Sequence, residues 1–363
     1  HELAKSLQKL DDQMVTCMKC GMCQAACPLY AETGRETDVA RGKIALVENL
    51  ASEMLRDPQA VKERLDRCLL CGSCAASCPS GVKVLDIFLQ ARAIITGYLG
   101  LSPAKKAIFR GMLANPKLFN TVLGLAPKLQ KMFAKPVNET LGSSCARFIS
   151  PLLGDRHFLP LAKTSWHKQM GQVDIPRGKS GLFSDQDFDY LLTPCATCTS
   201  TIKKIWPLMA DDYPELERQK IQELAEKTMD ICQFVARSFP QESVQGSLSS
   251  TSKKKVTYHD PCHLKKSLHV SEEPRSLITG TPGIVLTEMA DPDRCCGMGG
   301  SFNLQHYDLS QKIGDKKLQS IVQTKADVVS TCCPACMMQL TDLLSKANAD
   351  IQVKHVIELY AQG

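Results

Sequence analysis

The chain has 363 residues, with 44 basic against 38 acidic side chains, and 44% of its residues are hydrophobic while 23% are charged. This composition is typical of a folded protein of two or three domains, and it excludes a disordered, collagen-like or coiled-coil chain. The net charge of +6 does not indicate nucleic-acid binding. No apolar run approaches the roughly 20 residues of a membrane-spanning helix.

The informative residues are the 18 cysteines, because most of them occur in tight clusters. Two runs follow the pattern C-x-x-C-x-x-C-x-x-x-C-P; they are Cys17, Cys20, Cys23 and Cys27 before Pro28, and Cys68, Cys71, Cys74 and Cys78 before Pro79. This is the pattern of bacterial ferredoxins, in which three cysteines of a run hold one 4Fe–4S cluster and the fourth holds the other. It predicts one cluster on Cys17, Cys20, Cys23 and Cys78, and a second on Cys68, Cys71, Cys74 and Cys27. Zinc knuckles are the alternative, but four cysteines in one short run, found twice, fit zinc poorly.

Apolar residues recur at helical spacing in residues 2–16, 38–66 and 84–97, so we predict that the two runs lie between helices. The span between the runs is longer than in a minimal ferredoxin. The arrangement resembles the all-helical two-cluster domain of large respiratory subunits. We assign this domain to residues 1–100.

Residues 101–172 are predicted to form a helical connector. Within it, residues 102–135 place apolar positions beside lysine and arginine, from Lys105 to Lys131, at amphipathic spacing. We expect surface helices that cover the core and keep their lysines in water. Docking on a partner subunit and docking on an anionic membrane surface are the two alternatives.

The pattern changes after the Ser/Lys-rich run at 246–255, which is typical of a linker or exposed loop. Residues 256–258, 284–286 and 327–330 are predicted strands, and helical patterns lie near 308–324 and 334–347. Strands that alternate with helices favour an α/β unit with a parallel sheet. The whole chain is thus predicted to be α+β, with an all-helical ferredoxin domain, a helical connector and then α/β cysteine-rich domains.

A second set of cysteines follows the predicted strands, where parallel sheets place their sites. Its candidate ligands are Cys262, Cys295, Cys296, Cys333 and Cys336. Their spacing, with the motif Cys295-Cys296-Gly297, resembles the CCG domain of heterodisulfide reductase subunits, the glycolate oxidase iron–sulfur subunit, the third subunit of anaerobic glycerol-3-phosphate dehydrogenase and lactate-utilisation proteins. The resemblance implies a third iron–sulfur centre, which is a non-cubane 4Fe–4S cluster in heterodisulfide reductases, or a zinc ion. We assign this CCG domain to residues 246–363 and interpret the extra Cys332 as a buried thiol.

Residues 190–198 repeat the last strand and C-x-x-C turn of the CCG domain, so Cys195 and Cys198 are further candidate ligands. This first copy, residues 173–245, lacks a C-C-G and a leading cysteine. Either the copy is degenerate or residues that belong near 180 are missing. We favour the second interpretation because the C-x-x-C turn of the first copy closely matches that of the second. Alone, this half-site cannot complete a cluster.

No flavin or nicotinamide cradle is found, because the glycine-rich residues 297–300 do not form G-x-G-x-x-G. His259, His263 and His269 lie near the cysteines; we interpret them as structural or exposed imidazoles, with tuning of a centre as the alternative. The sequence therefore predicts a chain with no catalytic residues of its own. We expect it to carry electrons for hydride chemistry on another polypeptide.

The domain order resembles the iron–sulfur subunit of glycolate oxidase and D-lactate dehydrogenase complexes, and equally the glycerol-3-phosphate dehydrogenase third subunit. Residues 18–23, 30–36 and 41–43 favour the 2-hydroxy-acid branch. The resemblance implies an FAD-containing partner subunit and a quinone or another redox protein as acceptor. The alternatives are a heterodisulfide-reductase-like catalyst, favoured by an open CCG centre, and a zinc-stabilised scaffold. Clustered thiolates indicate a reducing compartment, so we expect a cytoplasmic protein, with peripheral contact on the inner membrane face as an option.

Overall fold

The computed structural model describes residues 1–148, 154–162, 188–239 and 253–362. The segment near residue 180, where the repeat suggests missing residues, lies outside the described residues. Within them, the chain is helical as far as Phe133 and afterwards combines strands with helices. This arrangement confirms the predicted α+β class.

The N-terminal domain consists of short helices around one apolar core. Their bounds are α1 Glu2–Leu7, α2 Asp11–Met14, α3 Met22–Ala26, α4 Pro28–Thr33, α5 Ala40–Ala51, α6 Pro58–Asp66, α7 Ser73–Ala76 and α8 Val84–Leu99. The core contains Leu7, Ile44, Leu65 and Phe88, all fully buried. The apolar pattern of residues 38–66 is thus divided into α5 and α6.

A helix start explains this division. Asp57 is the N-cap of α6, and its Oδ1 accepts a hydrogen bond of 3.0 Å from the Ala60 N–H. Pro58 occupies the first turn, where its missing N–H costs nothing. A cap followed by proline favours a new helix over the continuation of the previous one.

The connector begins with α9 Pro103–Lys106, a π-helical turn Ala107–Leu113 and α10 Pro116–Phe133. The expectation that these helices cover the core is wrong, because no described side chain in residues 103–133 is buried. The connector is also not helical throughout. After α10 the chain forms an antiparallel sheet of β1 Ala134–Asn138, β2 Ser143–Ala146 and β3 His157–Phe158.

This small sheet forms because it packs on the C-terminal domain. Ser143 Oγ lies 2.6 Å from Ser345 Oγ, and His157 Nδ1 lies 2.7 Å from the same hydroxyl. Tertiary hydrogen bonds of this kind stabilise strands that are too short to persist alone.

The first cysteine-rich copy contains two parallel strands, β4 Leu191–Thr193 and β5 Thr228–Asp230, among the described residues. Its helices are α11 Ala196–Ser200, which continues in a π-helical turn Thr201–Ile205, then α12 Trp206–Leu208, α13 Glu215–Lys227 and α14 Ile231–Ser238. Among the described residues, this copy has two strands, whereas the second copy has four.

The second copy is built on a four-stranded parallel sheet of order β7-β6-β8-β9. The strands are β6 Lys254–Tyr258, β7 Ile284–Leu286, β8 Val328–Thr331 and β9 Gln352–His355. The helices are α15 Glu272–Gly280, α16 Ser301–Gln305, α17 Tyr307–Gln323, α18 Pro334–Lys346 and α19 Val356–Tyr360. The three predicted strands and the parallel sheet are confirmed, and the fourth strand and helices α15, α16 and α19 are additional.

Candidate functional site

The four cysteines predicted for the first cluster line one recess of the N-terminal domain. This first recess leaves about 370 Å³ free of protein atoms, and its lining includes Cys17, Cys20, Cys23 and Cys78. Cys74 and Cys78 reach it from the other run. Cys20 is exposed, so the first recess lies close to the protein surface.

The four cysteines predicted for the second cluster line another recess of about 400 Å³. Its sulfur atoms come from Cys27, Cys68, Cys71 and Cys74. This second recess lies deeper, since Cys71 is buried and burial raises the pKa of the Cys27 thiol to about 11. The structure thus brings each predicted set of four together, including the cysteine that crosses from the other run.

The two runs share an unusual backbone. Lys19 and Leu70 occupy equivalent places and have φ of 55° and 53°, and Gly21 and Gly72 follow with φ of 89° and 74°. Glycine is favoured in this left-handed region because it has no Cβ. Turns that alternate right- and left-handed residues form concave backbones whose N–H groups gather around anions. The repeated turn therefore suits a sulfide-rich cluster.

A buried cation lies beside the second recess. The Lys43 side chain is fully buried, donates to the Thr37 carbonyl oxygen at 3.1 Å, and lies 3.9 Å from Asp38 Oδ1. Arg67 Nη2 lies 3.1 Å from the other oxygen of Asp38. Burial lowers the pKa of Lys43, although Cys68 and Asp38 act in the opposite direction. A cation held this close to four thiols offsets negative charge in the recess.

The CCG cysteines gather at the carboxyl edge of the parallel sheet. Cys262 follows β6, Cys295 and Cys296 follow β7, and Cys333 and Cys336 follow β8. Their side chains form one row of neighbours. Cys262 packs on the buried cluster that contains Cys295. The sulfurs of Cys296 and Cys336 lie within 4.8 Å of each other, and Cys333 belongs to the same buried cluster as both. All but Cys262 are buried.

This row continues in both directions. On one side, Cys71 of the second recess and Cys295 belong to one buried cluster. On the other side, Cys195 packs against the buried cluster that contains Cys333. An apolar cluster that includes Leu29, Leu69 and Phe302 packs around the first contact. The second recess and the CCG cysteines are therefore neighbours.

The half-site of the first copy faces the complete site of the second. Cys195 and Cys333 are the N-caps of α11 and α18, and the Ala196 N–H donates to the Cys332 carbonyl oxygen at 3.1 Å. Cys198 is exposed. The structure thus brings Cys195 to the CCG cysteines, whereas Cys198 is not part of the buried row.

The remaining cysteines form no part of this row. The sulfurs of Cys232 and Cys332 lie 3.3 Å apart, and the Tyr258 hydroxyl lies 3.5 Å from Cys332 Sγ. An Asp230 carboxylate oxygen lies within 4.8 Å of both sulfurs. Asp230 Oδ1 accepts a 2.9 Å hydrogen bond from the Cys232 N–H, whereas Oδ2 has no hydrogen-bond partner among the described residues. The full burial of Cys332 agrees with its interpretation as a buried thiol. Cys145 lies on β2.

Two further buried groups surround the CCG cysteines. One nitrogen of His259 lies within 4.8 Å of the Cys296 and Cys336 sulfurs, and neither ring nitrogen has a hydrogen-bond partner among the described residues. Burial lowers the pKa of His259 to about 3, so its imidazole is neutral. Sequence reasoning treated His259 as structural and missed Lys317. Lys317 is fully buried, its Nζ donates to the Pro292 carbonyl oxygen at 3.2 Å, and burial lowers its pKa to about 8.

A signal for Lys317 was present in the sequence. It occupies the same helical face as Ile313 and Ile321, which are buried on α17. Lysine on an apolar stripe indicates a buried cation when an anionic site lies opposite.

The donor set fits iron–sulfur centres. Both recesses and the CCG row present thiol sulfurs, which are the soft ligands that such clusters take. Several of these thiols have raised pKa values because of burial, among them Cys68 and Cys74. Metal binding must therefore displace protons from them.

Comparisons with known proteins agree with this geometry. Residues 13–82 match the model of the 4Fe-4S dicluster domain, and residues 256–341 match the CCG model, described as a cysteine-rich domain. A probable glycolate oxidase iron-sulfur subunit of Bacillus subtilis is 27% identical over 92% of this chain and 90% of its own length. One subunit of the dihydromethanophenazine:CoB–CoM heterodisulfide reductase of Methanosarcina mazei is 27% identical over 99% of this chain and 95% of its own.

Lactate utilization protein A of Shouchella clausii is 31% identical over 48% of this chain and 70% of its own length. The alignment with the Bacillus subtilis subunit is 408 positions long, although this chain has 363 residues. The relatives therefore contain residues that this chain lacks within the aligned span. Several relatives are subunits of oxidases or reductases, which implies a partner subunit for this chain.

The cysteine recesses and the two matched domains lead to one conclusion. The dicluster domain carries 4Fe–4S clusters, and the CCG domain adds a third cysteine site. The chain belongs to the family of electron-transfer iron–sulfur subunits that includes lactate utilization protein A and the glycolate oxidase iron–sulfur subunit.

Proposed function

We propose that this chain is the electron-transfer subunit of a 2-hydroxy-acid dehydrogenase complex that oxidises D-lactate or glycolate. In this proposal Cys17, Cys20, Cys23 and Cys78 hold one 4Fe–4S cluster, and Cys27, Cys68, Cys71 and Cys74 hold the second. The CCG centre is held by Cys262, Cys295, Cys296, Cys333 and Cys336. Cys195 is an additional ligand or a hydrogen-bond donor to this centre. When bound, the clusters supply one-electron transfer.

One observation carries the proposal. Cys71, in the second recess, and Cys295, in the CCG row, are members of one small buried cluster of side chains. A relay needs its centres to be neighbours, and this contact puts the second recess directly against the CCG cysteines. Cys74 lines both recesses, so the proposed route runs from the exposed Cys20 of the first recess to the buried Cys336.

The rim of the first recess supports exchange with another protein. Met18 and Met22 line this recess, and 69% and 53% of their surfaces are exposed. Val15, just before them, is 78% exposed. Exposed apolar side chains around a redox site suit a docking face. We assign it to one redox partner of the chain.

The proposed partners are an FAD-containing dehydrogenase subunit and a quinone or another redox protein. Flavin chemistry belongs to the partner, because the described residues present thiols rather than a nucleotide cradle. We place the complex in the cytoplasm, since clustered thiolates persist in reducing compartments. Among the described residues, no helix has the length and apolar character needed to cross a membrane.

A heterodisulfide-reductase-like catalyst is the second candidate, because one group of relatives carries that name. Substrate cleavage at the CCG site requires an accessible sulfur or iron. Cys295, Cys296, Cys333 and Cys336 are buried, and Cys262 and the neighbouring Cys195 are only partly accessible. This burial favours relay over catalysis. A glycerol-3-phosphate dehydrogenase subunit is a third candidate, which shares the relay and differs in the partner's substrate.

The test is anaerobic purification of the untagged protein from the producing organism, followed by identification of the co-eluting chains. We expect a yellow flavoprotein in the complex. Addition of D-lactate or glycolate should then produce the electron paramagnetic resonance signals of reduced 4Fe–4S clusters. Reduction by glycerol 3-phosphate alone would assign the chain to the third candidate.

The variant Cys71→Ser tests the relay. We expect substrate to reduce fewer centres in this variant, because Cys71 is a proposed ligand of the second cluster and lies beside the CCG row. Cys332→Ser is the matched control, since this thiol lies outside the row, and it should leave the signals unchanged. A chain that elutes without flavoprotein and reduces a disulfide by itself would refute the relay.

A further inference from the structure

The connector helices form an exposed surface that the electron relay does not use. We define the amphipathic segment as residues 103–133, which comprise α9, the π-helical turn and α10. Its apolar side chains include Phe109, Leu125, Leu129 and Met132, and each of them is more than half exposed. Apolar groups gathered on one exposed surface indicate an interaction site.

The apolar residues of α10 lie in one stripe. Their positions are spaced by four, three, four and three residues; they are Leu118, Val122, Leu125, Leu129 and Met132. At 3.6 residues per turn this spacing keeps them within an arc of about 80°. All five are exposed. In a helix that covers a core, this stripe would be the buried one.

The lysines of α10 occupy a separate arc beside the stripe. Lys117, Lys128 and Lys131 lie within about 60° of one another around the helix axis. Lysine stems can extend along an apolar surface while their ammonium groups remain in water. A helix with an apolar stripe flanked by lysines lies flat in the interface of a lipid bilayer.

The charge of the segment has one sign only. Between Asp86 and Glu139 the chain contains no acidic residue. The segment itself carries six cations, which are Lys105, Lys106, Arg110, Lys117, Lys128 and Lys131. None of them forms an ion pair with another described residue. Such a surface complements the negative potential of anionic lipids.

The segment is attached to the described remainder of the chain mainly near its C-terminal end. Gln130 exchanges two hydrogen bonds with the backbone of Leu161, at 3.0 and 2.7 Å. The Arg147 N–H donates to the Phe133 carbonyl oxygen at 2.8 Å. Gln130 lies away from the stripe, so these bonds hold the helix without covering its apolar side.

We propose that the amphipathic segment is a peripheral docking site for an anionic phospholipid bilayer. The α10 stripe enters the headgroup boundary, and the six cations contact lipid phosphates. Lipid is favoured over a protein partner because the segment has cations throughout and no acidic residue to orient a partner. This proposal does not depend on the identity of the electron donor.

The test uses the full chain, purified anaerobically with its clusters, and co-sedimentation with two kinds of vesicle. One contains pure phosphatidylcholine, and the other contains one quarter phosphatidylglycerol. We expect the chain to bind the anionic vesicles. Its affinity for the neutral vesicles should be roughly tenfold or more lower, and added salt should weaken its binding to the anionic ones. Leu125→Asp with Leu129→Asp should abolish binding. Lys117→Gln, Lys128→Gln and Lys131→Gln together should weaken it on anionic vesicles only.

Matched controls place the same changes on exposed helices elsewhere. Two control variants should bind vesicles as the unchanged chain does. One carries Leu216→Asp with Val322→Asp, and the other carries Lys5→Gln, Lys9→Gln and Lys312→Gln. Iron content and circular dichroism verify that each variant is folded. Failure of the unchanged chain to bind anionic vesicles would overturn the proposal. Normal vesicle binding by the Leu125/Leu129 variant would also overturn it. The same holds if that variant loses a co-purifying protein while its vesicle binding is unchanged.

Discussion

Gly297 follows the two adjacent cysteines of the CCG motif, and its backbone has φ of 94°. A Cβ at this position would lie 2.3 Å from the Ser310 carbonyl oxygen, which is closer than any real contact. We predict that Gly297→Ala lowers the free energy of unfolding by about 2–4 kcal/mol and reduces iron bound at the CCG site. Chemical denaturation and iron analysis measure the two effects.

Gly97→Ala is the matched control for this change. Gly97 lies within α8, and a Cβ there would meet no atom within 4 Å. Alanine should stabilise this helix by about 0.5–1 kcal/mol. Equal effects of the two substitutions would contradict the steric argument for Gly297.

Lys43 supplies a second prediction at the level of single residues. Its fully buried ammonium group lies beside the second recess, so Lys43→Met removes a positive charge near the proposed cluster. A reduced cluster carries more negative charge and depends more on this cation. We predict a reduction potential lower by on the order of 50 mV, since about 1.4 kcal/mol corresponds to about 59 mV for one electron.

Redox titration of the anaerobic protein, followed by electron paramagnetic resonance, measures this shift. Lys9→Met is the control, because Lys9 is exposed on the N-terminal helices. An unchanged potential in Lys43→Met, with full iron content, would show that this cation serves folding alone.

The sequence identifies cysteines far better than it identifies their surroundings. Regular spacing identifies the cysteines of the two runs, residues 17–27 and 68–78, as cluster ligands because each run is local in the chain. The burial of Lys43 could not be predicted in the same way, since it depends on helices that meet only in the folded protein, and the sequence indicates Lys317 only through its place on an apolar helical stripe. Cys195 was predicted as an incomplete half-site, and its contact with Cys333 required the tertiary structure.

At the level of secondary structure, Asp342 joins three elements. Its Oδ1 accepts a 2.8 Å hydrogen bond from the His157 N–H on β3. Its Oδ2 accepts bonds of 2.7 Å from the Tyr307 hydroxyl and 2.8 Å from Gln311 Nε2, both on α17. We predict that Asp342→Ala lowers the free energy of unfolding by about 2–4 kcal/mol, because three donors lose their acceptor in a buried site.

Thermal and chemical denaturation measure this loss. Asp315→Ala is the control on the neighbouring helix α17, where the side chain is exposed, and it should change stability by less than about 0.5 kcal/mol. A similarly small effect of Asp342→Ala would mean that β3 does not depend on this carboxylate.

Helices whose apolar residues keep a helical spacing over many residues were predictable. The patterns near 308–324 and 334–347 match α17 and α18 within one residue at each end. Strands β1 to β3 were missed because they are short and their stability comes from contacts with α18, such as Ser143 with Ser345. Those contacts join residues that are about 200 positions apart in the chain.

At the scale of the whole molecule, the two cysteine-rich copies and the ferredoxin domain meet around one row of sulfurs. The order of domains was predictable from motifs, whereas the contact between Cys71 and Cys295 was not. Nothing local in the sequence relates these two cysteines. Their proximity follows from the apolar cluster of Leu29, Leu69 and Phe302, which belongs to both domains.

Lys266 bridges the ferredoxin and CCG domains beside this contact. Its Nζ donates to Ser73 Oγ at 2.7 Å and to the Asp293 carbonyl oxygen at 2.9 Å, and its side chain is only 11% exposed. We predict that Lys266→Met lowers the free energy of unfolding by about 1.5–3 kcal/mol, because bonds from a charged donor are lost. The two domains should then unfold in separate calorimetric transitions, with iron content unchanged.

Lys265→Met is the matched control for this last prediction. Lys265 pairs with Asp260 inside the CCG domain at 3.2 Å, and Asp260 keeps Arg275 as a partner at 2.9 Å. Lys265→Met should therefore lower the free energy of unfolding by less than Lys266→Met does, and unfolding should remain as cooperative as in the unchanged protein. If Lys266→Met also unfolds in one transition at the original temperature, the apolar cluster alone holds the domains together. In that case the lysine bridge would have no part in keeping Cys71 against Cys295.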